Sequence, residues 1–235
     1  MADIFRRVEK KYIITKQQYL FLKQFIENRM VEDEHGKSTI CNIYFDTEHY
    51  DLIRHSISKP VFKDKIRLRS YNVPEINSEV FLEIKRKYNE VVGKRRIKIT
   101  LKEFYDYMNN KDTIYNSQIK QELDYYFNFL KLKPTMFLSY KRRAFYDKEN
   151  KDFRLTFDSE IIARDYDLNL EKGIYGSNIF EKNKYIMEIK TLGAIPIWFV
   201  KVLDILKICP CGFSKYGEAY TQLILKANKV SEYVI

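Results

Sequence analysis

Charge in this chain follows the two-residue period of a β-strand. In Ile66-Arg67-Leu68-Arg69-Ser70-Tyr71 that period sets Arg67, Arg69 and Tyr71 on one face. In the run from Val80 to Lys87 it sets Glu83, Lys85 and Lys87 together. Arg154, Thr156 and Asp158 stand opposite an apolar row, and Glu188 and Lys190 stand opposite Tyr185, Met187 and Ile189. One strand with a polar outer face is ordinary, since half-buried strands show water such a face. Its repetition, with long bases and sparse carboxylates, predicts a curved sheet whose concave side is cationic. The guest that fits is a polyanion, above all phosphate with a metal ion.

At 235 residues the chain is long enough for one substantial domain, and 1–235 reads as a single unit. Its formal net charge of +10 favours an anionic partner. Seven glycines and five prolines are too few for a disordered or loosely linked chain. Cys41, Cys209 and Cys211 are odd in number, and two of them form Cys-Pro-Cys. They make no disulfide framework and too few ligands for structural zinc, which predicts a reducing compartment. The opening run to Lys11 is charged, and no apolar segment of spanning length follows. The expectation is a soluble, cytoplasmic protein with no transmembrane segment.

Along the chain, Thr15 is a candidate N-cap for a helix through Tyr19, Leu22 and Phe25. The polar stretch from Glu32 to Lys37 predicts a turn before a strand from Cys41 to Asp46, and a short helix is expected near Tyr50 to Arg54. A turn at 74–78 separates the Arg67 and Lys85 strands. Gly93 reads as a break before a strand over 94–100, followed by helical spacing over 101–107 and 119–130. Strands over 135–146 and around Arg154, the Glu188 strand, and helices over 196–207 and 215–225 complete the chain. Hairpin-joined strands with interspersed helices predict an α+β fold on a closed or nearly closed antiparallel β-barrel.

The bases suit phosphate for distinct reasons. Arg offers a rigid two-pronged fork, and Lys is a movable point charge. Arg67 and Arg69 on one face would clamp neighbouring phosphates, with Lys85, Arg142, Arg154 and Lys190 approaching from other strands. Any one of these rows, taken singly, also reads as a solvated strand face. Glu188 lies between apolar neighbours and shares a face with Lys190. Mg²⁺ or Mn²⁺ needs few protein carboxylates when phosphate and water complete its shell, and the competing reading is a cross-strand salt bridge. Arg7, Glu9 and Lys11 share a face near the start of the chain. Lys215 opens a helix, where a cation opposes the macrodipole unless an anion lies there. His35, His49 and His55 have neither metal nor triad spacing. With no Walker loop or Rossmann fingerprint, phosphate recognition falls to side chains.

Taken in order, these motifs resemble a known family. Phe5-x-Arg7-x-x-x-Lys11-Tyr12, Tyr44-Phe45-Asp46-Thr47, Arg67-x-Arg69 and Glu83-x-Lys85 come first. Tyr140-x-Arg142-x-Ala144-Phe145, Arg154-x-Thr156-x-Asp158, Glu188-x-Lys190 and Ser214-Lys215-Tyr216 follow. The set is similar to the VTC catalytic domain, the polyphosphate polymerase branch of the triphosphate tunnel metalloenzymes (CYTH-like). The resemblance implies an antiparallel tunnel with flanking helices that moves the γ-phosphate of ATP onto inorganic polyphosphate and releases ADP. It implies that Lys11, Arg67, Arg69, Lys85, Lys94, Arg142 and Arg154 line the phosphate path, with Tyr140 and Ser214 as neutral donors. Lys94 competes for its role with Arg95 and Arg96. Glu188 would hold the Mn²⁺ or Mg²⁺, and Lys215 would sit at the catalytic centre.

Where the wider superfamily has Glu-x-Glu-x-Lys, this chain has Arg7-Val8-Glu9-Lys10-Lys11, which suits the polymerase branch better than two-metal hydrolysis. The sensing domain and membrane helices of larger relatives have no counterpart here, so a standalone enzyme is the expectation. Two other readings stay open. One is a triphosphatase or nucleotide cyclase on the same fold. The other is a polyanion- or RNA-binding module, although the charged rows show aromatics only at Tyr71 and Tyr140 and no sequence-specific nucleic acid is expected.

Overall fold

The structure is a computed structural model and describes residues 8–89, 91–111 and 114–227. Phe5 and Arg7, which open the first motif, lie outside the described residues. The strands are β1 (Val8–Thr15), β2 (Met30–Asp46), β3 (Phe62–Tyr71), β4 (Glu79–Tyr88) and β5 (Val91–Thr100). β6 (Lys133–Asp147), β7 (Arg154–Arg164), the two-residue β8 (Ser177–Asn178) and β9 (Lys184–Thr191) follow. Helices α1 (Lys16–Arg29), α2 (Asp51–Ile57), α3 (Leu101–Met108), α4 (Gln118–Asp124), α5 (Ile197–Ile205) and α6 (Lys215–Ala219) intervene. α4 and α6 each continue into a π-helical turn, over Tyr125–Phe129 and Tyr220–Leu225.

The chain forms two compact units. One gathers the chain up to Ser38 with Tyr140–Ile161 and Phe180–Ser214; its strand order is β1-β9-β7-β6-β2. The other gathers Thr39–Ser139, Ile162–Ile179 and the chain from Lys215, with the order β6-β2-β3-β4-β5 and β8 on β7. β2, β6 and β7 each contribute residues to both units. The registered ladders are antiparallel, as the hairpin spacing predicts. The hydrogen-bonded path ends at β1 and β5 and is not closed among the described residues.

Each unit has its own core. In the first, α1 begins where the Thr15 hydroxyl accepts from the Gln18 N–H and the Gln18 side chain accepts from the Thr15 N–H. Tyr19, Leu22 and Ile26 then recur on one helical face. They pack with Tyr12 and Ile14 of β1, Leu155 and Phe157 of β7, Met187 and Ile189 of β9, and Phe199 of α5. In the second, Thr100 and Glu103 make the same reciprocal cap for α3. Leu101 and Phe104 close over Ile66, Leu68, Val80, Leu82 and Ile84. Burial of side chains this size stabilises by about 1.5–3 kcal/mol each. In both units the apolar rows face the helices, leaving the charged rows on the opposite face.

Two local expectations need correction. The turn expected from Glu32 to Lys37 does not precede the strand but lies within β2, a 17-residue element. The bend survives inside the strand, since a Cβ on Gly36 would lie 2.1 Å from the Glu32 Cγ and 2.7 Å from the Asp33 oxygen. Two carboxylates there are held by bases, with Arg143 donating to both Glu32 oxygens at 3.0 Å and Arg154 to Asp33. Gly93 also fails to break the chain, because β5 pairs with β4 from Val91 onward.

Candidate functional site

The second unit carries the denser charge. Alternation along β3, β4 and β5 sets Lys63, Lys65, Arg67 and Arg69, then Lys85 and Lys87, then Lys94, Arg96 and Lys98 on the face away from the core. Register makes Lys63–Lys87, Lys65–Lys85 and Lys85–Lys94 direct cross-strand neighbours. Like charges in that relation destabilise a sheet, so these rungs concentrate positive potential at a cost to the fold. Burial, with Lys87 and Lys59 adding, lowers the Lys63 ammonium below the ordinary lysine range.

Beside the rungs, Glu83 is fully buried among bases. Arg67 donates Nε to its Oε2 at 2.8 Å, and Lys94 Nζ lies 2.6 Å from its Oε1. Arg69 Nε lies 3.8 Å from Oε2 and donates to Asn42 Oδ1 at 3.1 Å. Burial works against the charge on Glu83, but Arg67, Arg69 and Lys94 overcome it and hold the carboxyl down at about 2. Strand alternation also divides the three bases after Gly93. Lys94 and Arg96 share the Glu83 face, whereas Arg95 turns to the other side and pairs with Glu122.

A second cluster links Arg67 to the start of α6. The Tyr44 hydroxyl accepts from Arg67 Nη1 at 3.3 Å, and the Tyr44 ring stacks on Tyr216 at 4.4 Å and 13°. The buried Tyr216 hydroxyl donates to Asp46 Oδ2 at 3.0 Å and lies 3.0 Å from Thr135 Oγ1. Asp46 in turn accepts from the N–H groups of Thr47, Leu52 and Ile53, which fixes the start of α2. Burial, then the Asp46 charge, raises the Tyr216 hydroxyl far above the usual tyrosine range. Lys215 is the first residue of α6, as the sequence predicts, and Tyr216 anchors it from the next position.

In the first unit the row is sparser and more nearly neutral. Lys11, Glu188 and Thr156 lie side by side across β1, β9 and β7, as do Glu9, Lys190 and Arg154. Lys190 Nζ lies 3.9 Å from Glu188 Oε1. Arg142 grips Asp158 through two bonds of 2.7 and 2.8 Å and lies 5.1 Å over the Tyr140 ring. Burial opposes the Arg142 charge, yet Asp158 carries its pKa well above the usual value. Lys11 Nζ donates to the Phe213 carbonyl at 2.9 Å, which ties β1 to the segment leading to Ser214. Arg142 and Arg154 thus meet carboxylates, Asp158 and Asp33, that the sequence reading left without a role. It likewise gave no role to Asn42, Tyr44, Asp46 or Thr156. Phe81 it missed outright, although alternation puts that ring on the Glu83 face.

Glu188 is only 6% exposed, and the neighbouring Thr156 Oγ1 is buried without a hydrogen-bond partner. A hard cation suits this carboxylate and hydroxyl. Among the described residues no group of three His, Cys, Asp or Glu could hold a metal, so phosphate and water would supply most of its ligands. Glu83, the carboxylate of the Glu83-x-Lys85 pair, is already neutralised by its bases.

An antiparallel sheet with helices on its apolar side and rows of arginine and lysine on the other defines an α+β protein of the triphosphate-tunnel kind. The chain belongs to the VTC domain family, whose profile matches residues 6–224. An adenylate cyclase candidate from Bacillus halodurans has a TM-score of 0.55 at 15% identity, over 88% of this chain and 93% of its own. An adenylyl cyclase candidate from Hippeastrum, whose dominant activity is that of a triphosphatase, has a TM-score of 0.53 at 17% identity, over 92% and 95%. A third candidate adenylate cyclase, from Vibrio parahaemolyticus, has a TM-score of 0.50 at 11% identity, over 90% and 96%. At such identities the likeness is one of fold. No curated protein matches the chain. Among the described residues no helix is long and apolar enough to cross a membrane.

Proposed function

We propose that the protein is a polyphosphate polymerase acting as one catalytic domain over 1–235. It would transfer the γ-phosphate of ATP to the end of an inorganic polyphosphate chain and release ADP. The observation that carries this reading is the basic face of β3–β5, where Arg67, Arg69 and Lys94 surround one buried carboxylate and lysine rungs continue the charge. Membership of the VTC domain family supports it, as does a fold shared with proteins described as cyclases and as a triphosphatase.

Phosphoryl transfer needs alignment and charge neutralisation more than a protein nucleophile. A terminal oxygen of the acceptor chain forms the new bond to the γ-phosphorus, and the bond from that phosphorus to the β–γ bridging oxygen breaks. Arg67, Arg69, Lys85 and Lys94 hold the triphosphate, with Lys11, Arg142, Arg154 and Lys190 contributing further positive charge and Tyr140 and Ser214 neutral donors. Lys215 neutralises charge at the transferring phosphate. Mn²⁺ or Mg²⁺, when bound through Glu188, lowers the repulsion between two anions. Three cysteines, two of them as Cys-Pro-Cys, favour a reducing, cytoplasmic setting.

The test is incubation with ATP and Mn²⁺ or Mg²⁺, with and without a short polyphosphate primer, followed by assay of ADP, free phosphate and long polymer. ADP with polymer is the expected result. Stoichiometric free phosphate without polymer would make the protein a triphosphatase, and a cyclic nucleotide would make it a cyclase.

A further inference from the structure

We propose that Phe81, Tyr71 and Arg96 form the seat for the nucleobase of the nucleoside triphosphate, at the Arg69 end of the basic face. The inference rests on the nucleotide reading above and assigns that substrate a direction.

Alternation on β4 buries Val80 and Leu82 completely in the core and turns Phe81 to the charged side, half-buried beside Glu83. Its ring offers a flat apolar surface on that charged face. Phe81 stands directly opposite Arg69. Tyr71, two residues beyond Arg69 on β3, is 42% exposed and meets Phe81 edge-on at 5.9 Å and 87°. The Arg96 guanidinium lies 4.6 Å over the Phe81 ring. Aromatic rings and guanidinium planes are the side chains on which bases stack without hydrogen-bond readout.

The opposite end of the same face carries the Lys65–Lys85 and Lys63–Lys87 rungs instead of rings. The face is therefore polar along its length. Two residues of strand separate Tyr71 from Arg69, about 7 Å, which leaves room for a ribose between a stacked base and a phosphate on Arg69. The γ-phosphate then points toward the lysine rungs, where a charged chain without bases would lie.

Parallel calorimetric titration of the purified chain with ATP and with inorganic tripolyphosphate, both without divalent metal, separates base from phosphate contacts. Phe81→Leu keeps an apolar side chain of similar bulk and removes the ring. It is expected to weaken ATP about tenfold while tripolyphosphate stays within about twofold. Arg96→Ala, at an exposed position, is the second variant and should also lower the ratio of ATP to tripolyphosphate affinity. If both ligands weaken equally in both variants, or neither does, the base seat is wrong and the phosphate site stands. Binding of tripolyphosphate with no preference for ATP in the unmodified protein overturns the base seat alone. Failure to bind either ligand overturns the nucleotide reading with it.

Discussion

Arg67 and Glu83 face each other across β3 and β4, and the Arg67 fork closes on a single carboxylate oxygen, with Nε at 2.8 Å and Nη2 at 2.7 Å from Oε2. Lys94 holds the other oxygen. Glu83 thereby holds a cluster of like-charged bases together. Removing one partner from a buried, paired group costs more than the pair itself contributes.

Glu83→Gln is therefore expected to cost about 3 kcal/mol near neutral pH, read as a lower urea midpoint. The pH dependence has a definite sign. The Glu83 carboxyl is held at about 2 in the folded protein, against about 4.3 when unfolded. Its contribution is thus complete above the unfolded value and lost as pH falls toward the folded one. Denaturation curves at a series of pH values should show this acid-side slope in the unmodified protein and not in Glu83→Gln.

Arg69→Ala should weaken tripolyphosphate binding by about 1.5–3 kcal/mol, the worth of a hydrogen bond to a charged group, with the fold intact. Asn42 keeps its bond to the Leu138 carbonyl at 3.1 Å but its buried Oδ1 loses the Arg69 donor, so the fold should hold with stability lower by about 1–3 kcal/mol. Calorimetry and circular dichroism check the two halves. Unchanged binding would mean that this face does not meet the substrate.

Glu188→Gln keeps shape and removes charge. Metal-dependent turnover should collapse, while triphosphate binding without metal holds or tightens, because a carboxylate repels phosphate unless a cation lies between. Titration of Mn²⁺ against both proteins, with turnover and affinity followed in parallel, decides. Unchanged metal dependence would reduce Glu188 to an ion-pair partner of Lys190, 3.9 Å away.

Tyr216→Phe deletes the hydroxyl that reaches Asp46 and keeps the ring that stacks on Tyr44. The loss should be about 1–2 kcal/mol of stability. Since Tyr44 still supports Arg67, KM for ATP should hold while kcat falls through a less firmly placed Lys215. Steady-state kinetics and thermal melts test this. A change confined to KM would contradict it.

Arg164 lies wholly buried between the Phe137 and Tyr175 rings and donates to the carbonyls of Asp167, Asn169, Gly173 and Tyr175. A lysine cannot present donors in that fork. Arg164→Lys should destabilise on the order of 3 kcal/mol and expose the 165–176 loop to limited proteolysis.

Alternation alone decided much of this protein. Because side chains two apart must share a face, the split between Arg67, Arg69 and Glu83 on one side and Ile66, Leu68 and Leu82 on the other was legible before any strand was paired. Caps at Thr15 and the helix opening at Lys215 are local chemistry and were legible too. Phe81 was equally legible and went unread. Pairing was not, since it depends on register between strands far apart in sequence. Only the tertiary structure showed that Glu83 neutralises Arg67 and Lys94, that Asp158 and Asp33 hold Arg142 and Arg154, and that Tyr216 reaches back 170 positions to Asp46. It also carried β2 through the polar stretch at 32–37. Bases on neighbouring strands compensate charges that look like a turn when the segment is read by itself.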